Sequence, residues 1–243
     1  MPLIHSDQTF TLDGVNNFTV GGTTLSWGNG FIGDLDIFSN DPAPASYTVT
    51  ATMTGSNWSI GRFAVGGDDK GAGTVVRAVI NDDTSGSNRF IEQLNLYGIG
   101  GNVVTLNHTD VMSIAGSNGI DTVTSNTNFV GSIQLFGGND SVTVNAGNAD
   151  MVNLGDGTNR FTSTNGHVSA LIAYGGNDTA IIGAGGADAI NLGGGNNNIT
   201  VNNGGFTAAI RTYGGNDIFH VNGDVDVIDA GSGNNRVFTS NVV

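Results

Sequence analysis

The stretch Phe136-Gly-Gly-Asn-Asp-Ser-Val-Thr-Val-Asn145 decides how this chain folds. An aromatic residue closes an apolar segment, Gly-Gly-Asn-Asp follows as a turn, and Val-Thr-Val then alternates as a strand does. The same turn recurs at Tyr174-Gly-Gly-Asn-Asp178 and Tyr213-Gly-Gly-Asn-Asp217. A variant without the Asp follows Tyr97, as Gly98-Ile-Gly-Gly-Asn102, so the four aromatics recur at spacings of 39, 38 and 39. Weaker copies fall between them: Gly119-Ile-Asp121, Gly157-Thr-Asn159, Gly195-Asn-Asn197 and Gly233-Asn-Asn235. Interleaved, the two sets form one column, Asp121, Asp140, Asn159, Asp178, Asn197, Asp217 and Asn235, with spacings of 19, 19, 19, 19, 20 and 18.

Half a period away runs a second column, Asp110, Asp150, Asp188 and Asp226, spaced 40, 38 and 38. The turns between its members, Asn165-Gly-His167 and Asn203-Gly-Gly205, carry no Asp. A unit of this length, with two Gly/Asn turns and two short alternating segments, predicts an all-β fold, a parallel β-roll or β-solenoid. One coil cannot bury its own apolar face, so stacking supplies the core. The alternation predicts that Val142, Val144, Ile199 and Val201 point inward, and Thr143 and Thr200 outward. Phe161, Ile199, Phe219 and Val237, each two positions after a member of the first column, are expected to stack as one buried ladder.

Composition agrees with the rhythm. Among 243 residues there are 40 Gly, 31 Asn and 20 Asp, but one Glu (Glu92) and one Lys (Lys70), so the strong helix formers are nearly missing. Hydrophobic residues make up 38%, too many for a disordered acidic tail. A net charge of −14 repels phosphate backbones, which argues against nucleic acid as a partner. No apolar run is long enough for a membrane span. The N-terminal Met1-Pro-Leu-Ile-His-Ser-Asp7 does not read as a signal peptide. With no Cys there is no disulfide or thiol chemistry.

Positions 1–91 lack the regular register. Ser46-Tyr-Thr-Val-Thr-Ala-Thr-Met53 alternates as a half-buried strand, between Asp41-Pro-Ala-Pro44 and the turn Thr54-Gly-Ser-Asn57. The expected organisation is a β-rich cap over 1–64, an irregular transition over 65–91 with Asp82-Asp83, and the repeats over 92–243.

The Gly-Gly-Asn-Asp-x-apolar turns, together with Gly185-Gly-Ala-Asp188-Ala-Ile190, resemble the nonapeptide G-G-x-G-x-D-x-U-x of RTX proteins. The resemblance covers roughly residues 92–243 and implies a β-roll that binds Ca²⁺. Calcium takes six to eight oxygens, and coils about 4.8 Å apart can offer carboxylates and Gly carbonyls to one ion. The candidate ligands are Asp121, Asp140, Asn159, Asp178, Asn197, Asp217 and Asn235 in the first column. Asp150, Asp188 and Asp226 are the candidates in the second. Asp121 with Asp140 is the best pair, being consecutive Asp, whereas elsewhere in the first column Asp alternates with Asn. Stacked Asn and Asp can equally hydrogen-bond along the column with no metal. The second column recurs only in alternate coils, where a lone Asp is more often a turn former.

Catalytic signatures are weak. No Ser sits in a Gly-x-Ser-x-Gly elbow, and His5, His108, His167 and His220 share no metal-ligand spacing. Arg160, Arg211 and Arg236 are scattered, and His220 reads as surface, in an outward column with Thr124, Thr143, Thr162 and Thr200. A sugar-binding face would want exposed aromatics, which points to Trp27 and Trp58 in the cap. The expected molecule is therefore a secreted, extracellular or cell-surface scaffold, structural, surface-layer or adhesive, with Ca²⁺ joining its coils and no enzymatic activity. The alternatives are an accessory RTX-like module of a secreted protease, lipase or epimerase, or a carbohydrate-binding module. Only Arg236-Val-Phe-Thr-Ser-Asn-Val-Val243 follows the last turn, so the expectation is either that this is a piece of a longer protein or that a bare terminal coil self-associates, by a two-fold or, as favoured here, head to tail.

Overall fold

A computed structural model describes residues 3–4, 8–13, 17–20, 23–26, 31–39, 46–53, 59–67, 75–82 and 90–240. Every regular element among them is a β-strand. The fold is an all-β, parallel β-solenoid, as the sequence rhythm predicts. It divides into two compact units, Met1–Val130 and Gly131–Val243.

The second unit is the regular one. One ladder of parallel strands runs Ser141–Val144, Arg160–Ser163, Thr179–Ile182, Asn198–Val201, Ile218–Val221 and Arg236–Thr239. The other runs Asn148–Asn153, His167–Ile172, Ala187–Asn191, Phe206–Arg211 and Asp224–Asp229. The pairing joins Val142 to Phe161, Phe161 to Ala180, Ala180 to Ile199, Ile199 to Phe219 and Phe219 to Val237. Like therefore stacks on like, and one face of each strand is continuous apolar surface. Val142, Val144, Phe161, Ile199, Val201 and Phe219 are 0–1% exposed, as are Val168, Leu171, Ile190 and Ile210 in the other ladder. Each such side chain contributes about 1.5–3 kcal/mol by leaving water. Thr143, Thr162 and Thr200 stay half-exposed, so the strand faces are as the alternation requires.

Val237 departs from the expected buried ladder, because it is 51% exposed. Burial in a solenoid comes from a coil on either side, and in the last described coil Val237 has Phe219 on one side only. His220 also differs from a freely solvated imidazole, since its ring stacks on Phe238 at 5.1 Å between centroids and 14° between planes.

The first unit has the same parallel pairing with longer coils. In one sheet Phe31 pairs with Ser59, and Ser59 with Phe90. In the other Ser46 pairs with Val75, and Val75 with Gly101. The regular short step begins where Val103 pairs with Thr122. Ser46–Met53 is a strand with Val49 and Ala51 buried, as its alternation predicts. Antiparallel pairing joins Gln8–Asp13 to Asn17–Val20 and Asn17–Val20 to Thr23–Ser26. Asp41–Pro44, the Thr54–Asn57 turn, Trp27, Trp58, Lys70 and Asp83 lie outside the described residues. Asp82 ends a strand and is buried.

Candidate functional site

The first column forms the corner that follows each Gly-containing turn in the second unit. Asp140, Asn159, Asp178, Asn197 and Asp217 are 0–2% exposed. Glycine makes that corner tight. Gly195 has φ +117°, and a Cβ there would run into the Gly176 carbonyl of the preceding coil, so no other residue fits without a shift.

Burial of the column is made tolerable by one repeated hydrogen bond. Asn159 Oδ1 accepts the Asp140 backbone N–H at 2.9 Å, and Asp178 Oδ1 accepts that of Asn159 at 2.8 Å. Asn197 Oδ1 accepts from Asp178 N at 3.0 Å, Asp217 Oδ1 from Asn197 N at 2.8 Å, and Asn235 Oδ1 from Asp217 N at 2.9 Å. Each side chain thus caps the coil before it, and each buried N–H finds the partner it needs.

Asn and Asp differ at the other side-chain atom. Asn159 Nδ2 donates to the Gly157 carbonyl and Asn197 Nδ2 to the Gly195 carbonyl, both at 3.3 Å. Asp178 and Asp217 carry an oxygen in that place, which cannot donate when ionised. Their Oδ2 atoms are buried with no hydrogen-bond partner. Burial pushes the Asp178 carboxyl up to about 6, against hydrogen bonds with Asn159 that pull it down.

The first unit handles its column residue differently. Asp121 Oδ1 accepts from Asn102 Nδ2 at 2.7 Å, and its Oδ2 accepts the Ser117 N–H at 2.7 Å. Burial raises its pKa, and these hydrogen bonds oppose the rise. Asn102 is a further member of the column, one full period before Asp121, and its Oδ1 accepts the Gly98 N–H. The expected pair Asp121 and Asp140 belongs to two different compact units.

The second column is of another kind. Asp150, Asp188 and Asp226 lie within strands and not at turns, and all three are exposed. Asp188 Oδ2 is 3.3 Å from His167 Nε2. Asp110, at the start of its strand, accepts from Thr127 Oγ1 at 2.8 Å and from the Phe129 N–H at 2.9 Å. Among the described residues no three His, Asp or Glu side chains gather as a metal-binding cluster.

Two features escaped the sequence reading. An outer Asn column runs beside the buried one: Asn177 Oδ1 accepts the Asn196 N–H, Asn196 Oδ1 that of Asn216, and Asn216 Oδ1 that of Asn234, at 2.7–2.8 Å. Its signal was present, because each of these Asn residues directly precedes a member of the buried column. The second feature is the aromatic row. Phe136, Tyr174 and Tyr213 close apolar segments, yet they are 45%, 61% and 56% exposed. Compared with known families, curated proteins and solved structures, the chain gives no match.

Proposed function

We propose that this chain is a secreted scaffold, a β-solenoid that acts outside the cell or on its surface as a structural or adhesive element and carries out no reaction of its own. The observation behind this reading is the corner ladder. The polar side chains that recur in the second unit are spent on backbone N–H groups of neighbouring coils, which is what a structural element requires. Arg160 and Arg236, the cations on one sheet face, are exposed and flank the ladder without converging on an acid.

Calcium belongs to the proposal at two positions. Asp178 and Asp217 fit a cation because each holds a buried Oδ2 with no hydrogen-bond partner. Each of the two would contribute to a separate Ca²⁺ site, two coils apart, and the ion would supply the positive charge that a buried carboxylate lacks. Scanning calorimetry of metal-free protein at pH 7.5, with and without millimolar Ca²⁺, tests this. Linkage gives about 2.7 kcal/mol when free ion is 100 times Kd. The melting temperature should rise, and the Asp178→Asn/Asp217→Asn double variant should not respond. An unresponsive wild type would remove calcium and leave the ladder as a metal-free scaffold.

Self-association through the last described coil is part of the same proposal. Val237, on the inward face of that coil, is 51% exposed, and among the described residues no strand pairs beyond Arg236–Thr239. Light scattering should show mass increasing with concentration. A monomer at all concentrations would withdraw this element.

A further inference from the structure

The aromatic row has a regularity that core packing does not demand. Phe136, Tyr174 and Tyr213 occupy one position in alternate coils, and glycine occupies it in the coils between, at Gly155, Gly193 and Gly231. The alternation is enforced. A Cβ on Gly155, Gly193 or Gly231 would run into the carbonyl of Phe136, Tyr174 or Tyr213 respectively, and it is this clash that holds glycine there, since Phe136 itself has φ +67° at the same position. The row therefore reads ring, gap, ring, gap, ring, gap.

The tyrosines are tethered across those gaps. Asn153 Nδ2 donates to Tyr174 Oη at 3.0 Å, and Asn191 Nδ2 to Tyr213 Oη at 3.4 Å. Asn153 pairs with Ile172, so it sits one coil before Tyr174. Each phenol therefore reaches back past the bare glycine to the coil before it. The asparagines are themselves fixed, since Asn153 Oδ1 accepts the Gly155 N–H at 3.0 Å and Asn191 Oδ1 the Gly193 N–H at 3.2 Å. The rings stay more than half exposed despite the tether. These are exposed aromatic rings, each held at its hydroxyl by a fixed Asn, which limits the freedom a ligand would have to remove.

We propose that this row is a binding platform for an extended, neutral β-1,4-linked polysaccharide such as cellulose or chitin. Alternate coils lie about 9–10 Å apart at the usual strand spacing, which matches the two-sugar repeat of such a chain. Every second sugar can then lay its apolar C–H face on one ring, while glycine leaves room for the sugar between. The charge fits a neutral polymer. The chain carries −14 overall, which repels polyanionic glycans. Beside the row the charged side chains are Asp156 and the Arg211–Asp229 pair, whose closest atoms are 3.3 Å apart. Exposed Gln134 and the outer Asn column offer amides to sugar hydroxyls. The proposal does not depend on calcium or on the scaffold reading.

The test is binding of the full chain to microcrystalline cellulose and chitin in pull-downs, and to cellohexaose and chitohexaose by titration calorimetry. At least one of the two glycans should bind. Tyr174→Ala and Tyr213→Ala should each weaken binding roughly three- to tenfold, the range that one aromatic contact supplies, and the double variant should abolish it. Phe206→Ala, an exposed aromatic in the other ladder, should leave binding unchanged. Should Tyr174→Ala fail to fold, Tyr174→Leu keeps an apolar cover over Gly155 without a flat ring, and it should lose the same factor with an unchanged circular dichroism spectrum. The proposal is overturned if neither glycan binds, if binding survives in folded Tyr174/Tyr213 variants, or if amylose or polygalacturonate binds better.

Discussion

The two Asp columns of the second unit carry the same residue on the same repeat and meet opposite fates. Asp178 and Asp217 stand at a corner, are 1% and 0% exposed, and accept a backbone N–H from the neighbouring coil. Asp150, Asp188 and Asp226 stand on outward strand positions in solvent. A shift of half a coil along the chain thus converts a hydrated carboxylate into a buried one. What differs is whether the backbone beside the side chain has an N–H without a ladder partner. At the corner it has, and the chain uses Asn or Asp indifferently to accept from it. On the strand the ladder already satisfies the N–H groups, so Asp150, Asp188 and Asp226 are not needed as backbone acceptors.

The largest test of that contrast is at the core next to the corner. Phe219, two positions after Asp217, is fully buried, so Phe219→Ala should cost about 3–5 kcal/mol in chemical denaturation. Val237→Ala, at the paired position in the last described coil, should cost less than about 1 kcal/mol, because Val237 is already half in water. Similar costs would mean that the last coil is covered in solution.

Next comes the ladder itself. Asn197→Ala removes the acceptor for the Asp178 N–H and should cost about 1–3 kcal/mol, the penalty of a buried, unsatisfied group. Asp188→Ala on the outer strand face should stay within about 0.5 kcal/mol. If Asp188→Ala costs as much, the division into structural and surface columns is wrong.

A pH titration sharpens the contrast within the buried column. The Asp178 carboxyl sits near 6 in the folded chain, above its ordinary value of 3.8, because burial penalises the ionised form. Its contribution to stability is therefore complete below pH 3.8 and is lost as pH rises through about 6. In metal-free buffer, wild type should lose stability relative to Asp178→Asn across that window. Above it Asp178→Asn should be the more stable protein, because its Nδ2 can donate as Asn159 and Asn197 do. A difference that does not change with pH would place the Asp178 carboxyl in water. The smallest expected effect is Thr143→Ala on the half-exposed strand face, within about 0.5 kcal/mol by thermal melts.

Much of this was legible from the chain alone. The regular column, the Val-Thr-Val alternation and the surplus of Gly and Asn were enough for a parallel solenoid, because turn chemistry and period-two burial are local properties. The same reading identified the corner residues and the inward ladder from Val142 to Phe219. It left out Asn102, although that residue lies one period of 19 before Asp121 and Asn stands elsewhere in the column.

Three things were decided only by the folded structure. The first is which column is buried, because both read as Gly-flanked Asp and only the stacking shows where an N–H lacks a partner. The second is the coil length before Gly101. Steps of unequal length erase the period in sequence, while parallel pairing continues from Phe31 to Ser59 to Phe90 and from Ser46 to Val75 to Gly101. The third is the aromatic row. A Tyr at the end of an apolar segment does not show by itself whether it is buried, whereas in the fold Tyr174 and Tyr213 are 61% and 56% exposed and tethered to Asn153 and Asn191. That placement depends on contacts between side chains more than a full coil apart in sequence, which become neighbours only when coil stacks on coil.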